Sequence, residues 1–261
     1  MRHIGNVAGR ELRSLFVSPV AYGVLSLFSI LGGVFFILYV AEFSEWIFRL
    51  QQMQALQQLE EINLSDHLIN GFFGSMSMVL LFLIPGITMG LFAAEKTNGT
   101  QELLLTSPLT IWDIVLGKFI AAALFVALLV LIIGLFPGIL FLYGDLEVGK
   151  TASGLLGVLL VGWTYAAIGC FASSLTKSQV LAFLITFVIL LCILLVPAIA
   201  DLGIAGGAPG VEEALRWFST GSHFEELARG LVDTADLVYF VVVIGSFLVM
   251  TKAAVESVRW R

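Results

Sequence analysis

Six stretches of this chain run without one charged side chain: Val20–Ala41, Leu68–Ala94, Phe119–Gly144, Thr151–Thr176, Ser178–Ala200 and Leu237–Thr251. A helix needs about 20 apolar residues to cross the hydrocarbon core of a membrane, where only helices or closed barrels satisfy the backbone. Five runs reach that length. The sixth is short and is expected to extend through Val255, with Lys252 carrying its ammonium to the interface. The predicted fold is an all-α membrane protein of six transmembrane helices. Composition agrees: 59% of residues are hydrophobic, 12% are charged, and mean hydropathy is +1.02, whereas soluble domains carry about 25% charge. Six spans in 261 residues leave no room for a soluble catalytic domain. Cys170 and Cys192 both lie in apolar runs, which argues against a disulfide framework or a thiolate zinc site. The polar N-terminus and the long first run are unlike a cleaved signal peptide.

Lysine and arginine set the expected orientation. With the N-terminus inside, nine of the 13 basic residues fall on the inner side and four (Arg49, Lys150, Arg216, Arg229) on the outer side. Both termini are therefore expected in the cytoplasm. The net charge of −6 is an outer-surface property on this reading and gives no reason to expect nucleic acid as a partner.

The longest polar break on the inner side is Phe92–Lys118. Asn98-Gly99 is a strong turn signal, since both residues tolerate positive φ. Thr100 is placed to N-cap a short helix carrying Gln101, Glu102, Leu103, Leu104 and Leu105. That helix stops before Ser107-Pro108, and Thr110 with Asp113 fits a capping box opening the next helix. Three leucines with no core of their own to bury them invite a partner. The run E95-K-x-N-G-T-x-E-L-L-L-T-S-P-L, then D113-I-V-L-G-K, resembles the loop between membrane helices 2 and 3 of ABC-2 type permeases, most closely the gliding-motility type. The resemblance implies a coupling helix that docks on a separately encoded ATPase. The residues it assigns to coupling are Glu95, Asn98, Gly99, Thr100, Glu102 and Leu103–Leu105.

Residues 3–17 are expected to form an amphipathic interfacial helix, with Ile4, Val7, Leu12, Leu15 and Phe16 on one face. Asn6, Arg10 and Arg13 lie away from that face. In the resembled family this elbow helix also touches the ATPase, which adds Arg10 and Arg13 to the coupling residues. From Glu42 to Asn70, apolar residues recur every three or four positions among several glutamines, as in an amphipathic helix prolonging span 1 or docking an accessory subunit. Ser65 or Asp66 is a candidate cap for span 2. Pro85-Gly86 predicts a kink in span 2 that faces protein, and Pro137-Gly138 a second break in span 3. Gly162, Ala166 and Gly169 share a face of span 4 and permit close helix approach. Spans 1 to 5 are read as free of ionisable residues, which disfavours proton coupling.

Gly144–Thr151, GDLEVGKT, matches the phosphate-loop pattern G-x-x-x-x-G-K-[ST]. The functional form needs a strand before it and an α/β sheet around it; a long apolar span precedes it here, so it is read as a decoy, with Lys150 at the interface.

Between spans 5 and 6, Gly203, Gly206, Gly207, Pro209 and Gly210 precede an expected short helix over Val211–Phe218. Ser222 with Glu225 suggests a capping box for a second helix through Leu231, and Asp233 or Thr234 starts span 6. His223 has no second His, Cys or carboxylate foreseen beside it and is read as a satisfied interfacial histidine. The run H223-F-x-x-x-x-R-G-L-V-D-T-x-D-L-V-Y-F240 is also similar to gliding-motility permeases. The resemblance implies outer-gate helices, with Trp217, Phe218, His223, Phe224 and Arg229 as gate residues.

The expected organisation is one transmembrane domain over residues 1–261. Its parts are the interfacial helix 3–17, spans 20–41, 68–94, 111–144, 151–176, 178–200 and 235–255, the coupling loop 95–110 and the outer gate 201–234. By resemblance it is a permease subunit of a bacterial inner-membrane ABC transporter, exporting an amphiphilic or lipid-linked substrate. A second permease chain, two ATPase subunits and an extracytoplasmic accessory subunit are the implied partners. No catalytic residue, cofactor or metal is expected in this chain; ATP and Mg belong to the ATPase. The alternative is a non-transporting scaffold that passes ATP-driven force to an outer partner. A permease requires a polar-lined path between chains, and a scaffold a sealed interface.

Overall fold

The computed structural model describes residues 2–52, 68–100, 109–141, 147–201, 217 and 219–259. All regular structure among them is helical, and six helices are long and apolar enough to cross a membrane. Glu102, Leu103–Leu105, Phe218, the candidate caps Ser65 and Asp66, and the segment 211–216 lie outside the described residues.

In chain order the helices are α1 Arg2–Val17, α2 Pro19–Gln52, α3 Asn70–Thr88, α4 Gly90–Thr97 and α5 Ile111–Leu140. There follow α6 Val148–Leu175, α7 Gln179–Asp201, α8 Thr220–Ala228 and α9 Thr234–Arg259. Ser18 separates α1 from α2, and α2 runs well past the end of its apolar run, to Gln52. The capping box opening α5 is complete: the Asp113 N–H donates to Thr110 Oγ1 at 3.2 Å, and the Thr110 N–H donates to the Asp113 carboxylate at 3.1 Å.

Helix α6 is the hub. In its most apolar stretch 72% of residues are buried, against 17% for α2 and for α7, although it is the least apolar of the six spans. Its glycines are the means of approach. A Cβ at Gly162 would lie 2.6 Å from Val126 of α5, and one at Gly169 would lie 2.1 Å from Thr88 Oγ1 of α3. Neither position has room for a side chain, so α3 and α5 meet the α6 backbone directly. Phe72, Phe73, Met76, Leu80 and Ile84 of α3 fill the centre of the core.

The second span breaks later than the proline predicts. Helix α3 continues through Pro85 and Gly86, and the Met89 N–H still reaches the Pro85 carbonyl at 3.0 Å; the turn comes at Met89. The reason is the available partner. Ser173 of α6 stands beside Met89, where its Oγ accepts the N–H groups of Phe92 and Ala93, each at 3.1 Å, and donates to the Met89 carbonyl at 2.9 Å. A helix interrupted inside a membrane must have its freed groups satisfied by a neighbour, and the break sits where that neighbour is.

Candidate functional site

Polar chemistry gathers at the two ends of the bundle. At the α1 end, Lys118 is wholly buried one residue before the charge-free run begins. Its helix starts at Ile111, fixed by the Thr110 cap, and Lys118 follows about two turns in. Spans 1 to 5 are therefore not free of ionisable groups, because the helices extend beyond the runs used to define them.

The Lys118 ammonium donates to the Leu91 carbonyl at 2.6 Å and to Glu95 Oε1 at 2.8 Å, and it ion-pairs with Glu11 Oε1 at 3.2 Å. The Phe92 ring centroid lies 5.3 Å away. Arg10 approaches Glu11 at 2.8 Å and Glu95 at 3.5 Å. Two cations and two anions thus balance, and three helices, α1, α4 and α5, are joined by one cluster. The joint is tight, since a Cβ at Gly117 would lie 2.6 Å from Val7 Cγ1 of α1. A cavity of about 640 Å³ opens beside it, between Arg10, Glu11, Glu95, Asn98, Thr100 and Lys118.

Helix α4 ends in a left-handed turn at Gly99, φ +71°, after Asn98. The Thr100 N–H returns to the Glu95 carbonyl at 3.1 Å, the 6→1 bond of a Schellman cap. The Thr100 hydroxyl faces the same carbonyl at 3.4 Å; the helix it was expected to open lies outside the described residues. Lys96 donates to the Ser174 carbonyl and Thr97 to the Lys177 carbonyl, so α4 also covers the C-terminal end of α6. Arg13 is exposed on α1 and lies outside the ion cluster.

At the opposite end, α8 is held on two sides. On the α9 side, His223 Nδ1 lies 2.6 Å from Asp236 Oδ1, and His223 Nε2 lies 3.0 Å from the Trp217 carbonyl. The imidazole stacks on Tyr239 with centroids 4.0 Å apart. A carboxylate therefore does converge on His223, contrary to the sequence reading: Asp236 sits in the first turn of α9, 13 positions along the chain. Both ring nitrogens thus lie within hydrogen-bond distance of an oxygen. On the α6 side, Ser153 donates to the Leu227 carbonyl at 2.7 Å, and Phe224 is buried against Gly157.

The cap of α8 is also corrected. Ser219, not Ser222, is the N-cap, accepting the Ser222 N–H at 3.3 Å, while the Ser222 hydroxyl donates back to the Ser219 carbonyl. The helix stops at Ala228 rather than Leu231, because Gly230 adopts φ +89° and the Leu231 N–H closes on the Glu226 carbonyl. Trp217 is exposed, and Arg229 is exposed at the C-cap. Gly149, Lys150 and Thr151 form the first turn of α6 and follow the long helix α5, with no strand among the described residues. The phosphate-loop match thus lacks its sheet.

Residues 5–259 match the family described as ABC-2 family transporter protein. The chain belongs to that ABC-2 family. It is a multi-pass membrane protein of the permease type. It is 27% identical over 207 residues to "Probable multidrug ABC transporter permease YbhR" of Escherichia coli K12, a match covering 72% of this chain and 54% of the relative. The counterpart from Escherichia coli O157:H7 matches to the same extent. This ABC-2 chain therefore spans about half the length of the curated relatives it matches.

Four residues of the two ends were not foreseen in the sequence: Glu11, Lys118, Ser173 and Asp236. Lys118 carried a signal, since the Thr110–Asp113 box starts its helix early enough to bring a lysine inside. The others pair across distances that no local pattern reports.

Proposed function

We propose that this chain is the membrane-spanning subunit of an ATP-driven exporter, coupled to a separate ATPase through the loop that leaves α4 and returns at Thr110. The observation that carries the reading is the Lys118–Glu95–Glu11–Arg10 cluster. It ties the N-terminal helix and both stems of that loop into one unit, so a push on the loop is delivered to α3, α5 and α1 together. Glu95, Asn98, Gly99 and Thr100 occupy the stem, and Glu102 and Leu103–Leu105 supply the apolar docking surface. Arg10 and Arg13 flank it.

The likeness of the two quoted runs to gliding-motility permeases supports placement in that subfamily. Two permease chains and two ATPases complete the assembly, with an accessory subunit on the far side. Nucleotide and Mg stay with the ATPase, the loop faces the cytoplasm together with both termini, and the membrane is the bacterial inner membrane. An amphiphilic or lipid-linked substrate suits spans whose charges are confined to helix ends, and the name of the Escherichia coli relatives, a probable multidrug permease, is in keeping with it. Trp217, Phe218, His223, Phe224 and Arg229 shape the outer gate.

Replacing Leu103, Leu104 and Leu105 together by serine tests the coupling. The variant should insert in the membrane but no longer co-purify with the ATPase; an undiminished yield of complex would overturn the assignment.

A further inference from the structure

We infer that the cleft between α3, α6, α7 and α8 binds the headgroup of a zwitterionic phospholipid. The cleft has a volume of about 790 Å³, within the range of small-molecule sites. It lies at the end of the bundle where α3 begins, with Asn70 and Ser77 on one wall and Ile193 of α7 on another. Met78 and Leu194 line it as well and are 53% and 39% exposed on the outer surface of the spans. A ligand there meets polar groups at one end and membrane-facing hydrocarbon at the other, which is the division an amphiphile carries.

The charge at the rim selects the head. Glu225 and Arg229 line the cleft from α8, one helical turn apart. Their side chains are 70% and 67% exposed, and the carboxylate and guanidinium stand 3.8 Å apart. That separation is too long for a hydrogen bond, and an exposed pair of this kind is worth about 0–1 kcal/mol. Little is lost when each group turns to a ligand charge of opposite sign. A phosphate meets Arg229 while an ammonium meets Glu225. A purely anionic head would meet Arg229 but also face the Glu225 carboxylate, with no cation of its own to offer it. The wall is preformed, because His223–Asp236 and Ser153–Leu227 fix α8 before any ligand arrives.

The test uses the purified chain in mild nonionic detergent, without nucleotide or ATPase, so its outcome is separate from that of the coupling proposal. Native mass spectrometry reads which lipid is retained from an equimolar mixture of phosphatidylethanolamine, phosphatidylglycerol and diacylglycerol with identical chains. Phosphatidylethanolamine should be retained in preference by about tenfold, equivalent to ~1.4 kcal/mol. E225K, on the exposed face and harmless to folding, should shift the preference to phosphatidylglycerol. S77W, which fills the cleft, should lose retention of all three; if it does not fold, E225K decides alone. Equal retention of diacylglycerol, no retention at all, or an unchanged preference in E225K would overturn the inference.

Discussion

Lys118 Nζ stands 2.8 Å from Glu95 Oε1 and joins the opening turns of α5 to the last turn of α4. The two residues are 23 positions apart, and the loop proposed for coupling lies between them. Their side chains are 1% and 18% exposed, so the pair is largely shielded from water. Breaking a buried pair on one side costs about 3–5 kcal/mol, because a charge is left without its partner. Lys118→Met should therefore lower the thermal midpoint of the purified protein sharply. The triple variant Lys118→Met, Glu95→Gln, Glu11→Gln should recover much of the loss. A single variant as stable as the wild type, measured by thermal unfolding in detergent, would show that the cluster holds nothing together.

Ser173 offers a cleaner case, since one hydroxyl serves three backbone groups at the Met89 break. Ser173→Ala leaves the Phe92 and Ala93 N–H groups without that acceptor, at about 1–3 kcal/mol for a buried unsatisfied group. The loss should be local. Hydrogen exchange of residues 90–97 should rise while that of the α5 core around Phe125 stays slow; protection unchanged at 90–97 would contradict the role given to Ser173.

For the far end, the comparison is between Asp236→Asn and Asp236→Ala. The amide can still accept from His223 through its oxygen, whereas alanine removes the partner altogether. Exchange of residues 220–228 should quicken more in the alanine variant than in the asparagine one. Identical protection in both would mean that α8 is held by Ser153 and Phe224 alone.

The phosphate-loop match makes a negative prediction that is easily checked. Lys150→Ala should leave ATP hydrolysis by the assembled transporter unchanged, since Lys150 lies on the first turn of a membrane helix and ion-pairs with Glu147 at 3.3 Å. A large loss would require nucleotide at that end of the bundle.

Sidedness is accessible to labelling. In a background lacking Cys170 and Cys192, a cysteine replacing Glu226 should react with an impermeant maleimide in intact cells. A cysteine replacing Asn98 should react only after the membrane is opened. Both positions are exposed; the reverse pattern would invert the proposed orientation.

The spans and the Thr110–Asp113 box were legible in the sequence because their causes are local. Absence of charge over 20 residues and an i, i+3 pair each act within one helix. The helix ends were less legible. Ser219 displaced Ser222 as the cap, and Gly230 stopped α8 early, where two similar signals stood a few residues apart and packing chose between them. The partnerships were not legible at all. His223 with Asp236, and Ser173 with the Met89 break, depend on which helices lie side by side. Small residues suggested close packing on α6 but did not name Thr88 or Val126 as the neighbours.

The standing of α6, least apolar and most buried of the six spans, bears on how the protein is made. A helix leaving the translocation machinery enters lipid by its own apolar content, before any tertiary contact exists. All six spans are apolar enough for that; α6, with its glycines and hydroxyls, has the lowest mean hydropathy, 1.9 against 2.1 to 3.1. It is synthesised after α3 and α5, whose surfaces at Thr88 and Val126 are shaped to receive its glycines. On that order of synthesis the central helix meets neighbours already made, and substitutions at Thr88 or Val126 are expected to disturb its seating before they disturb any other span.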